Sequence, residues 1–203
     1  MILKSKNILI TGAGKGIGRA CVNDFISKGG YVFALINQKK DNSKFKKHIN
    51  LKIYNGNVNN QKIINKIFEE SKKINKPINC LVNNAGLRFR KNFLKIRKDE
   101  LRNVFETNFF SPLVIMQIFS KFLIKNKMKG SLINMTSIVG KIGFDGLTGY
   151  ASSKGGLTSL TKSFAAEMSK YGINANNIST GFIKTSFYKK FKKNKKKLYN
   201  WTI

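Results

Sequence analysis

The chain has 203 residues, a length that suits one domain able to bury a sizeable core. Its 39 Lys and Arg against 9 Asp and Glu give a formal net charge of +30, yet 41% hydrophobic content with 16 Phe argues against a disordered basic tail protein. Two cysteines, Cys21 and Cys80, and a single histidine, His48, argue against a disulfide framework, a metal-ligand cluster and a histidine-based catalytic triad.

Residues 7–11 (NILIT) read as a short apolar strand running into Thr11-Gly12-Ala13-Gly14-Lys15-Gly16-Ile17-Gly18. Residues 17–28 follow with helical spacing, Ile17, Cys21, Phe25 and Ile26 falling on one side, and stop at Gly29-Gly30. The continuous apolar run 31–36 (YVFALI) predicts a strand covered on both faces. Residues 51–54 form a weaker third strand, 61–73 an amphipathic helix, and 78–82, after Pro77, a fourth strand. Residues 98–106 and 109–125 read as one long helix. Its apolar part is interrupted by Ser111, Pro112, Gln117, Ser120 and Lys121, which predicts a buried helix and no membrane span. Residues 131–135 predict a fifth strand, 149–170 a helix closed by Gly172, and 173–178 a sixth strand. Strands alternating with helices imply parallel βαβ units. The expected fold is therefore α/β, a Rossmann-type doubly wound parallel sheet in a single domain. The apolar stretch 8–10 is too short for a signal peptide, so a soluble, cytoplasmic setting is expected.

The glycine loop lies between a strand and a helix, the context that a dinucleotide fingerprint requires. Gly12 can turn tightly, Gly16 lets the backbone approach a pyrophosphate, and Gly18 permits close helix–strand packing. Free N–H groups at the helix start would face the phosphates. An NAD site usually places an acid about 20 residues on, to bind the adenosine ribose. Asn37 stands there instead, followed by Gln38, Lys39 and Lys40. With no carboxylate in that stretch to repel a 2′-phosphate, and with Lys15 inside the loop, NADP(H) is the expected cofactor.

Tyr150 and Lys154 stand one helical turn apart and share a face. A free tyrosine, with a pKa of about 10, is a poor acid or base near neutrality, and a neighbouring ammonium favours its phenolate. Ser137, at the end of the fifth predicted strand, completes the set.

These motifs, in this order, resemble the short-chain dehydrogenase/reductase family. The glycine loop is similar to its cofactor loop, and Asn83-Asn84-Ala85-Gly86 to its Asn-Asn-Ala-Gly motif. Asn108, Ser137, Tyr150 and Lys154 match its catalytic tetrad, and the likeness runs from about residue 6 to residue 187. It implies cofactor contacts from Gly12, Gly14, Lys15, Gly16, Ile17, Gly18, Asn37, Asn57, Val58, Asn84, Ala85, Gly86, Tyr150, Lys154, Ile183 and Thr185. Residues 90–94, 98–100, 150–174 and 181–185 are similar to the branch that reduces 3-oxoacyl thioesters on acyl carrier protein.

That likeness implies hydride transfer from NADPH to a C3 ketone, with Tyr150 donating the proton. Lys154 would lower the Tyr150 pKa and hold the nicotinamide ribose, Ser137 would bond the substrate oxygen, and Asn108 would hold a water relaying protons toward Lys154. Thr185 would lie near the nicotinamide and phosphates. An acidic acyl carrier protein is the implied partner, and a homo-oligomer, tetrameric in the family, the implied assembly. Family branches acting on sugars, polyols or other small carbonyls share the tetrad and remain alternatives, as does a decayed inactive copy. A polybasic nucleic-acid or membrane-binding protein is the remote one.

Three departures from the family pattern stand out. Thr180-Gly181 replaces its Pro-Gly, and Asn57 replaces an adenine-contacting Asp. The chain ends at Ile203, where the family continues with a helix and a seventh strand. Six strands with the usual seventh missing are expected, in a reductase domain over residues 1–187 followed by a lysine-rich tail at 188–203, the remnant of a substrate lid. Lysines scattered along the whole chain suggest compositional drift more than a binding stripe. Their charge would still suit an acidic carrier, with Lys127, Lys129 and Lys170 expected to flank the site entrance.

Overall fold

A computed structural model describes residues 2–183. Six parallel strands form one sheet in the order β3-β2-β1-β4-β5-β6, with β1 at Asn7–Thr11, β2 at Tyr31–Ile36, β3 at Leu51–Asn55, β4 at Cys80–Asn83, β5 at Gly130–Ser137 and β6 at Ile173–Thr180. Helices α1 (Gly16–Ser27), α2 (Gln61–Lys73), α3 (Lys98–Phe105), α4 (Ser111–Lys125) and α5 (Thr148–Met168) form the connections. The doubly wound sheet is the expected one. The strand order reverses between β1 and β4, and a crevice opens there at the carboxyl ends of the strands.

Strand alternation divides the core. Leu9, Phe33 and Leu35 point to the face covered by Ile64, Ile67 and Phe68 of α2 and by Ile115, Phe119 and Leu123 of α4. Ile8, Ile10, Val32, Ala34 and Ile36 point to the opposite face, against Val22 of α1. Fully burying each such side chain contributes roughly 1.5–3 kcal/mol.

The ends of the elements differ from the sequence expectation for identifiable reasons. β4 includes Asn83, whose Nδ2 donates to Asn134 Oδ1 of β5 at 2.9 Å, so a residue that reads as a turn former lies inside the sheet. β5 and β6 each run two residues further than their apolar patterns suggest. Thr136 Oγ1 and Ser179 Oγ share a hydrogen bond at 3.1 Å, and Thr180 Oγ1 donates to Thr136 O at 3.2 Å, so polar residues satisfy each other across the pair. The single long helix expected over residues 98–125 is widened in the middle. Glu106–Phe110 is a π-helical turn in which the Ser111 N–H reaches back to the Glu106 carbonyl. Pro112 has no N–H to close the α-helical bond to the Asn108 carbonyl, which gives the widening its cause. By length and composition alone Lys98–Lys125 is apolar enough to cross a membrane. Val104, Ile115, Met116, Phe119 and Leu123 are, however, buried in the protein's own interior.

Candidate active site

The first wall of the crevice is the glycine loop after β1. Gly12 and Gly16 have φ of +63° and +56°, values that favour glycine. A Cβ on Gly12 would stand 2.7 Å from Ala85 Cα, and one on Gly18 would collide with the Gly12 carbonyl and the Asn84 amide. Lys15, at the N-cap of α1, makes no side-chain capping hydrogen bond, since a lysine side chain carries no acceptor. This cradle of bare backbone and uncapped helix dipole fits a dinucleotide pyrophosphate.

The second wall is the loop after β4, and it is tied to the first. Thr11 Oγ1 accepts from the N–H groups of both Asn84 and Ala85, each at 3.0 Å, and Asn84 Nδ2 donates to Thr11 O at 3.0 Å and Gly12 O at 3.1 Å. Asn84 and Ala85 therefore brace the glycine loop. Gly86 is exposed, and a Cβ there would lie 3.6 Å from Lys154 Nζ. Ile17 packs against the α1-side core and also lines a cavity with Met135, Thr180 and Ile183, and Val58 packs against the α2-side core. Asn57 is exposed and accepts from the Asn59 N–H at 3.0 Å. Asn37, Lys15 and Ile183 are exposed around the crevice, whereas Thr185 and the tail at 188–203 lie outside the described residues.

The candidate catalytic side chains converge from β5, α5 and the π turn. Ser137 is the last residue of β5; its hydroxyl donates to the Thr180 carbonyl at 3.4 Å and stands close enough to the Tyr150 phenol to favour its ionised form. Tyr150 and Lys154 lie in the first turns of α5. Lys154 is only 4% exposed; its Nζ donates to the Met135 carbonyl at 2.7 Å and sits 6.0 Å from the Tyr150 ring centroid. Asn108, fully buried, accepts from the Leu87 N–H at 2.7 Å and donates to Leu87 O at 2.9 Å and Ser153 Oγ at 3.0 Å. Its side chain locks the β4 loop to α5 and has no donor left for a water. A water relay through Asn108 would need its backbone carbonyl, which Pro112 leaves without an α-helical donor.

The electrostatics differ from the sequence expectation. Burial raises the Tyr150 pKa, opposed by the nearby Ser137 hydroxyl and by the positive charge of Arg88. Lys154 contributes no resolved lowering, because burial pushes its own pKa down to about 8 and its ammonium is turned to Met135. A protonated phenol at an open crevice can give a proton to a carbonyl oxygen being reduced.

A family model for short chain dehydrogenases matches residues 6–196. The chain belongs to the short-chain dehydrogenase family. Among its relatives, the 3-oxoacyl-(acyl-carrier-protein) reductase FabG of Vibrio harveyi is 32% identical over 195 residues, covering 93% of this chain and 78% of the relative. The FabG of Haemophilus influenzae is 30% identical over 185 residues, covering 90% and 76%. Among solved structures, a 4-hydroxyisoleucine dehydrogenase complexed with NADH superposes with a TM-score of 0.89 at 29% identity, covering 97% of this chain and 82% of that one. ElxO with NADP bound superposes at 0.84 with 28% identity, covering 92% and 77%. Short-chain dehydrogenases of this fold thus include NADH and NADP complexes.

Two further features of this short-chain dehydrogenase correct the sequence reading. Asp41, in a 3-10 turn at Lys39–Lys44, is 5% exposed, and a Cβ on Gly14 would stand 2.8 Å from its Oδ2. A carboxylate therefore does lie against the glycine loop; no local pattern marks it, because the contact is made only by the folded turn. Lys129 and Lys170 precede β5 and β6, at the amino ends of strands whose carboxyl ends carry the site, roughly 26 Å away by strand rise. With Lys127 in the turn after α4, they do not flank the entrance. Thr11, Asp41 and Arg88 are the site residues missing from the sequence expectation; the only available signal was the strand-end position of Thr11 before the glycines.

Proposed function

We propose that this chain is a cytoplasmic, NADP(H)-dependent reductase of 3-oxoacyl thioesters carried on acyl carrier protein. Carbonyl reduction rests on one observation, the convergence of Ser137 at the end of β5 with Tyr150 and buried Lys154 on the first turns of α5, at the mouth of the crevice. The substrate class is supported by the FabG relatives. Exposed Asn37, Lys39 and Lys40, with Lys15 in the loop, support NADP(H), while Asp41 weighs toward NADH. Exposed Phe93, Leu94 and Phe110 support an assembly of several copies.

A bound reduced nicotinamide dinucleotide supplies the hydride. Tyr150 holds the proton for the developing alkoxide, and burial keeps that phenol protonated at neutral pH. Ser137 directs its hydroxyl to the same oxygen and stabilises charge as it forms. Lys154, anchored on Met135 and close to Gly86, would hold the ribose hydroxyls of such a dinucleotide. Asn108 keeps the β4 loop in register with α5.

Purified protein should oxidise NADPH with acetoacetyl-carrier protein at a higher kcat/KM than with sugar, polyol or steroid carbonyls. A better substrate from those classes would replace the thioester, and absence of dinucleotide-dependent turnover with any of them would remove the reductase reading.

A further inference from the structure

Helix α5 begins without a side-chain cap at Leu147, yet its first turns carry Tyr150 and Lys154. A helix start of this kind leaves backbone groups unsatisfied, so its position depends on ties to other elements. Two serines follow Tyr150, and they differ. Ser152 is exposed, and its hydroxyl donates to Thr148 O, one turn back in the same helix, at 2.9 Å. Ser153 is fully buried; its hydroxyl donates to Tyr150 O at 2.8 Å and accepts from Asn108 Nδ2 at 3.0 Å.

The bond from Asn108 reaches out of the helix. Asn108 stands in the π turn, and the same side chain holds both backbone groups of Leu87 in the loop after β4. A serine hydroxyl has one hydrogen. Here it goes to Tyr150 O, so Ser153 can only accept from Asn108. This fixes the Asn108 amide, with Nδ2 toward Ser153 and Oδ1 toward the Leu87 N–H. The chain Leu87–Asn108–Ser153–Tyr150 thus joins three elements, and its two middle members are fully buried, where hydrogen bonds strengthen one another. It also bounds a gap: a Cβ on Gly86 would stand 3.5 Å from Asn108 Oδ1 and 3.6 Å from Lys154 Nζ.

We infer that Ser153 is a positioning residue: through Asn108 it holds Tyr150 and Lys154 at a fixed distance from the loop after β4. Its effect on turnover rests on the proposed reading of Tyr150 as the proton donor. Alanine at this position leaves the charge of the site unchanged and removes only the tie.

The test compares wild type, Ser153→Ala, Ser153→Cys and Ser152→Ala, with saturating NADPH and the acetoacetyl N-acetylcysteamine thioester. Counted per dinucleotide-binding site, kcat of Ser153→Ala should fall roughly tenfold, as expected for misplacing a reacting group by less than ~1 Å, with the thioester KM within about twofold of wild type. The solvent deuterium isotope effect on kcat should rise, because proton transfer from a displaced Tyr150 slows relative to the other steps. Ser153→Cys keeps a weak donor and acceptor and should fall between serine and alanine. Ser152→Ala should match wild type. Unchanged kcat in Ser153→Ala, or an equal loss in Ser152→Ala, would overturn the inference. A second measurement needs no turnover. Amide hydrogen exchange at Leu87 should quicken about tenfold in Ser153→Ala, the size of one lost hydrogen bond. If the wild type reduces no carbonyl, the reductase reading fails by itself and this exchange decides Ser153: faster exchange at Leu87 supports the tie, and unchanged exchange overturns it.

Discussion

Around β1 and α1 the site is built from backbone, whereas around β5 and α5 it is built from side chains. The glycine loop leaves its backbone open: there is no Cβ at Gly12 or Gly18 and no side-chain cap from Lys15 on α1. Across the crevice, Ser137, Lys154 and Asn108 are each held through a particular side-chain atom by a partner on another element, beside Tyr150. The contrast shows where change is tolerated. The backbone half depends on close approach, while the side-chain half depends on individual hydrogen bonds and pKa values.

Three substitutions sharpen this contrast. Gly18→Ala sets a methyl group against the Gly12 carbonyl and the Asn84 amide. It should cost about 3 kcal/mol of stability and weaken dinucleotide binding at least tenfold, measured by thermal unfolding and by dinucleotide titration. Wild-type binding in that variant would show that the close approach is not needed.

Lys154→Met tests the charged half. Burial holds the folded pKa of Lys154 at about 8, against ~10.4 unfolded. Between those values the unfolded chain binds a proton that the folded chain does not. Stability should therefore rise by about 3 kcal/mol as pH climbs from 8 to 10. Lys154→Met should remove that component from the pH dependence of denaturant unfolding. Above pH 10 the raised Tyr150 pKa acts in the opposite sense, because the folded chain then keeps a proton the unfolded one releases. An unchanged slope in Lys154→Met would mean that another group titrates.

The smallest effect is expected at Asp41, on the boundary between the halves. Asp41→Asn removes a negative charge beside Gly14. It should tighten NADPH about fivefold at low salt, the size of a ~1 kcal/mol like-charge repulsion, and leave NADH within twofold. Equal changes for both would place Asp41 away from the 2′-phosphate.

Much of this architecture can be read from the chain alone, for physical reasons. β2 is legible because YVFALI is buried on both faces, and α2 because its apolar residues recur at helical spacing. The tetrad is legible because a helix fixes Tyr150 against Lys154 and a strand end fixes Ser137. The far ends of β5 and β6 are not, since Thr136, Ser137, Ser179 and Thr180 look like loop residues until they pair across strands. Nor is the ionisation of the site. The spacing of Tyr150 and Lys154 suggests a lowered phenol pKa, but burial dominates it, and the opposing charge comes from Arg88, on a loop far away in sequence. Asp41 is hidden for the same reason: only the folded turn brings its carboxylate to Gly14.

The most direct test of the central claim is Tyr150→Phe, which removes one oxygen and keeps the ring in place. Dinucleotide-dependent carbonyl reduction should fall by a factor of roughly 1,000, within the range of a lost general acid, while dinucleotide affinity stays within about threefold of wild type. Retention of wild-type turnover would contradict the assignment of Tyr150 as the proton donor, and with it this account of the site.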